Sequence, residues 1–154
     1  MYMQLFFTLP VYITQWIDTT GVYNNLGFLK GIVGSIEDGV GVVRPELMIN
    51  VPAFCIILFQ LFISNRISKF SPIATMVVGI FIIAIAYGQM FFLVKGGYIM
   101  LSLVILAIGE MTSSPRIQEY IGRIAPKDKV ALYMGYSFLP VAGGNLLGGL
   151  LSGN

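Results

Sequence analysis

Residues 72–94 read PIATMVVGIFIIAIAYGQMFFLV, a run without one charged side chain. At about 1.5 Å of rise per residue, a helix over this stretch reaches about 34 Å and crosses a hydrocarbon core of about 30 Å. Ser71 and Pro72 mark its start, because the missing N–H of a proline in the first turn would be unpaired there anyway. The near-uniform apolarity reads as a lipid-facing helix.

Extending the same length test in both directions gives five spans, at about 1–17, 47–64, 72–94, 98–124 and 131–152. The first is a little short, and the chain reads there as cut. A long connection, 18–46, holds Asp18, Glu37, Asp38 and Glu46, with a weakly amphipathic stretch from Leu26 to Ile36 that predicts a helix lying on the interface or packed over the bundle. Composition agrees: 56% of residues are hydrophobic, 10% are charged, and the mean hydropathy is +0.85. These values exclude an ordinary soluble domain. The expected fold class is therefore an all-α membrane protein, a polytopic helical bundle whose main partner is the lipid bilayer.

Charge placement orients the bundle. Arg66, Lys69, Arg116, Arg123, Lys127 and Lys129 flank two short loops, against Lys30, Arg44 and Lys95 on the other side. By the positive-inside rule the first group is cytoplasmic, in a multi-pass protein of the cell membrane. A net charge of +2 with no basic arm gives no nucleic-acid surface. With no histidine and one cysteine, Cys55, neither a metal site, a cofactor nor a disulfide framework is expected. No nucleophile is paired with a base, so an enzyme is not expected either.

Function is sought in the polar residues inside the spans. Residues 109–115, GEMTSSP, place Glu110 near the middle of the fourth span, where an acid costs about 2.5–3.5 kcal/mol on insertion scales. Such a residue normally faces a cavity, a partner or a solute, although interhelical glue is the competing reading. At i, i+3 and i+4 spacing Glu110, Ser113 and Ser114 form a short polar stripe with Gly109. Asn50 opens the second span as an interfacial cap or a binding group, and Gln4 is a similar lone polar group in the first. Asn145, Gln60 and Gln89 read as packing or interfacial residues. Arg116, Glu119 and Arg123 form a charge cluster, read as a solvated face rather than a gate. In the fifth span Gly144/Gly148 and Gly149/Gly153 have the small-xxx-small spacing that lets helix backbones approach, which predicts a packed interior helix. Pro10, Pro52, Pro115 and Pro140 fall inside spans, as membrane helices allow.

The block from Gly109 to Gly153 resembles helices ten and eleven of the major facilitator superfamily. It is most similar to the proton-coupled oligopeptide transporters, with their GE…SP helix, AP stop, MG…F entry and GN…G body. The resemblance implies that the chain is roughly helices seven to eleven, most of the C-terminal half of a twelve-helix fold, with the N-terminal half as its missing partner. It implies proton-driven uptake of di- or tripeptides or peptide-like solutes by alternating access. Glu110 would bind the peptide amino group with help from Asn50. Gln4 matches the helix-seven glutamine, though Met3 stands where an acidic neighbour is usual. The rival expectations are a major facilitator for a drug, sugar or organic ion, and a non-transporting membrane scaffold.

Overall fold

The computed structural model describes residues 2–27, 30–37, 39–93 and 95–152. Helix α1 (Tyr2–Trp16) leads into two short helices, α2 (Thr20–Asn25) and α3 (Lys30–Val33). An antiparallel hairpin follows, β1 (Gly34–Glu37) paired with β2 (Val40–Val43), in the register Gly34↔Val43 to Glu37↔Val40. The rest is helical: α4 (Pro45–Met48), α5 (Val51–Ile67), α6 (Pro72–Phe92), α7 (Gly96–Ile124), α8 (Val130–Tyr136) and α9 (Leu139–Ser152).

Four stretches are long and apolar enough to cross a membrane: Pro45–Ile67, Pro72–Phe92, Gly96–Ile124 and Val130–Leu150. The protein is thus predominantly helical, with the composition of an integral membrane protein. The expected first span is not among the four. Its helix, α1, has 15 residues, and at about 1.5 Å each they reach about 22 Å, short of a bilayer core.

The centre of the molecule is α7. It packs along α6 and against α5, with α8 near its C-terminal end. Turning from α6 to α7 takes only residues 93–95, so the two are antiparallel, and α5 runs parallel to α7. Thr75, Gly79, Ile83, Ala86 and Met90 form the buried stripe of α6, at spacings of four, four, three and four residues. This face corrects the reading of the third span as uniformly lipid-facing. Side-chain type did not mark the stripe, because its residues are no more apolar than the outward Val77, Val78, Phe81 and Ile85.

Closest approach of the two helices is at glycine. A Cβ on Gly79 would stand 2.7 Å from Ser113 Cβ and 2.9 Å from the Gly109 carbonyl, and one on Gly109 would stand 2.7 Å from Ile83 Cγ1. The fifth span was expected to be the tightly packed one. Instead, a Cβ at Gly143, Gly144 or Gly149 would meet nothing within 4 Å. Gly148 is half-buried and Gly153 lies outside the described residues. None of the Val130–Leu150 window is buried, and among the described residues the main neighbour of α9 is α1. Small residues permit close approach, but a facing helix must be present to use it.

Prolines end up where helices begin. Pro52 stands in the first turn of α5, and Pro140 in the first turn of α9 after a break at Ser137–Phe138. Only Pro10 and Pro115 lie inside helices.

At the N-terminal end of α7 the α1–α2 connection is strapped to the α6–α7 turn. Asp18 and Lys95 form a parallel bridge, and the Gly96 N–H donates to the Asp18 carbonyl at 2.9 Å. The core beneath joins Ile13, Val43, Met48, Met90, Ile99 and Leu103. Tyr12 Oη donates to the Met90 carbonyl at 3.0 Å, which ties α1 to the end of α6.

Candidate functional site

Glu110 sits midway along α7, the helix with the largest buried share of the four long ones. It is half-buried and lies within electrostatic range of the phenol of Tyr87 in α6. Tyr87 carried no sequence signal as a partner, because the two are brought level only by the antiparallel pairing of α6 and α7.

The polar stripe around Glu110 is divided by packing. Ser113 is 4% exposed, wedged against Gly79, and its hydroxyl donates to the Gly109 carbonyl at 2.9 Å. Thr112 donates likewise to the Ile108 carbonyl at 2.7 Å. These hydroxyls are satisfied within the helix and serve the α6–α7 seam. Ser114 is exposed. The stripe expected from spacing therefore reduces to Glu110 with Ser114 outside the seam. Helical phase alone could not tell which part of that face α6 would cover.

Asn50 lies elsewhere. It precedes α5 without a side-chain capping bond, exposed, its side-chain amide donating instead back to the Glu46 carbonyl at 2.7 Å. It stands at the junction of α4 and α5, at the start of a helix parallel to α7, whereas Glu110 lies midway along α7. The structure does not bring these two residues together. Gln4 falls in α1, within a stretch whose side chains lie outside the described residues. The cavity between α5 and α7, about 260 Å³, is lined by Cys55, Phe59, Phe62, Ile63, Val104, Ile108 and Met111. With no polar side chain on its wall it suits an apolar group, not a charge.

Two other polar features bear on function. Ser102 donates its one O–H to the Tyr98 carbonyl at 2.9 Å and lies 3.4 Å from Gln89 Oε1, so Gln89 of α6 meets α7 at this level. The cluster at the end of α7 is less solvated than expected. Glu119 holds Arg116 through one oxygen and Arg123 through the other, the latter at 2.6 Å. Arg123 is open to solvent, but Arg116 is only 6% exposed, and its Nη2 has no hydrogen-bond partner. The i, i+3, i+7 spacing predicted the pairing; burial of one member depends on neighbouring helices. Comparison of the chain with protein-family models, with curated proteins and with solved structures gives no match.

Proposed function

We propose that this chain is a portion of the membrane bundle of a secondary transporter of the major facilitator type, with Glu110 as the carboxylate that binds a cationic group of the solute. One observation carries the reading: a half-buried carboxylate lies midway along the most buried of four membrane-length helices. An acid at that depth is costly unless a cavity, partner or solute compensates it. In the full reading the protein is a multi-pass protein of the cell membrane, and this chain supplies most of the second half of a twelve-helix bundle. The solute is a short peptide or peptide-like molecule, taken up with protons as one half rocks against the other. The major-facilitator motifs between Gly109 and Gly153 support this choice of family. Asn50 does not share the binding role at the depth of Glu110, so the reading rests on Glu110.

The test is Glu110→Gln in the complete transporter, which keeps side-chain shape and removes charge. A charge-assisted hydrogen bond is worth about 1.5–3 kcal/mol, so affinity for a dipeptide with a free amino terminus should fall roughly ten- to a hundredfold. The unaltered protein should prefer the free amine over its acetylated form, and the variant should lose most of that preference. An unchanged preference would leave Glu110 as interhelical glue. Equal transport of both forms by the unaltered protein would favour a major facilitator for another solute.

A further inference from the structure

We infer that the cavity at the N-terminal end of α7 is a binding site for a small zwitterion, a primary ammonium and an anionic group a few bonds apart. The cavity encloses about 470 Å³, within the range of small-molecule sites. Asp18 and Lys95 bring opposite charges to its wall, with Asn25 and Tyr98 as further polar groups and Val22 and Leu101 as apolar surface. Asp18 and Lys95 are not in ion-pair contact, although the charge of Lys95 acts on the Asp18 carboxylate. Instead the backbone holds them side by side through the Asp18–Lys95 bridge and the Gly96 N–H to Asp18 carbonyl bond. Gly96 is required for that strap, because a Cβ there would stand 2.9 Å from the Asp18 carbonyl oxygen and 3.0 Å from Thr19 Cα. Asp18 is further oriented by the Thr20 N–H, which donates to its Oδ1 at 2.9 Å. Opposite charges held side by side by the backbone, on a cavity wall that also carries Val22 and Leu101, match a molecule that carries both signs.

Such chemistry has two sources where an apolar helix meets the membrane surface: a free amino acid or short peptide, and the headgroup of phosphatidylethanolamine. The site is separate from Glu110, so its failure would leave the transport reading untouched. All the residues it needs lie in this chain.

The 154-residue chain is placed in nanodiscs of phosphatidylglycerol and titrated with alanylalanine and with glycerophosphoethanolamine. Trp16, the single tryptophan, two residues before Asp18, serves as fluorescent reporter. At least one probe should bind saturably, and its N-acetylated form should bind at least tenfold more weakly. Asp18→Asn keeps the acceptor for Thr20 and should remove the preference for the free amine; Lys95→Gln should weaken both probes about tenfold. Gly97→Phe, at a position where a Cβ meets nothing within 4 Å, should fill the cavity and abolish binding with the helical circular dichroism unchanged. Repeating the titration in phosphatidylethanolamine discs separates the sources: retained alanylalanine binding identifies a free solute, and its loss identifies the headgroup. Absence of saturable binding by either probe, equal affinity for the acetylated forms, or unchanged affinity in folded Gly97→Phe would overturn the assignment.

Discussion

Gly79 and Gly109 show what one missing Cβ does for a helix pair. At either position an alanine methyl would overlap atoms of the facing helix that cannot retreat far, including a backbone carbonyl. Overpacking of this kind costs about 1–3 kcal/mol. Gly79→Ala should therefore lower stability in mixed-micelle unfolding by about that amount. Gly143→Ala, in open space, should be neutral or stabilising by up to about 1 kcal/mol, because alanine favours helix over glycine. Equal destabilisation at both would mean that α9 makes a seam as tight as that of α6. Asp18 gives a second test at this scale. Hydrogen bonds from Thr20, with a smaller contribution from Lys95, hold its carboxyl below the ordinary value of 3.8. A depressed pKa contributes order that is full above the ordinary carboxylate range and lost as pH falls through the lowered value. The Thr20 amide resonance should titrate with a midpoint below 3.8 and become pH-independent in Asp18→Asn. A midpoint at or above 3.8 would exclude the Thr20 bond as the cause.

Among the elements, the hairpin is the clearest departure from expectation. The stretch from Leu26 to Ile36 predicts a helix, yet only Lys30–Val33 within it lies in a described α-helix apart from the end of the preceding turn, and Gly34 onward is extended. The missed signal was Asp38-Gly39 between Ile36-Glu37 and Val40, a strong local mark of a two-residue hairpin turn. Gly39 has φ +80°, which a side chain resists. The ring of Tyr23 packs against Gly34 and Gly41, leaving no room for a Cβ on either, and Lys30 Nζ lies 5.4 Å from the ring centroid. Gly39→Ala should destabilise the hairpin by about 1–2 kcal/mol, the cost of left-handed backbone. Hydrogen exchange should show this as faster exchange of the β1 and β2 amides, with α6 and α7 unaffected. Gly31→Ala, with no positive φ and open space around it, should leave those amides unchanged.

For the whole molecule, the parallel course of α5 and α7 gathers charge. It puts Arg66 in the last turn of α5 and Lys69 just after it at the same end as Arg116, Arg123, Lys127 and Lys129 around the end of α7. The hairpin and the Asp18–Lys95 strap occupy the other end. Basic residues are retained on the cytoplasmic side during insertion. In a Cys55→Ala background, Lys127→Cys should react with an impermeant thiol reagent only from the cytoplasm, and Val40→Cys, in the exposed hairpin, only from outside. The inverse pattern would reverse the orientation, and labelling of both from one side would break the topology.

Membrane class and the extents of α6 and α7 were determined by sequence alone, because long apolar runs and prolines at helix starts act locally, through hydrogen bonding and transfer from water. Glu110 was legible for the same reason: a charge within such a run stands out without any knowledge of neighbours. Which helix lies inside was decided only by the tertiary structure. Gly79 and Gly144 are alike in sequence, and they differ because α7 faces one whereas a Cβ on the other meets open space. The separation of Asn50 from Glu110, the wedging of Ser113, the burial of Arg116 and the meeting of Asp18 with Lys95 have one physical cause. Each depends on the level and facing of two segments distant in the chain, and that relation is set by packing between helices rather than by the residues of either one.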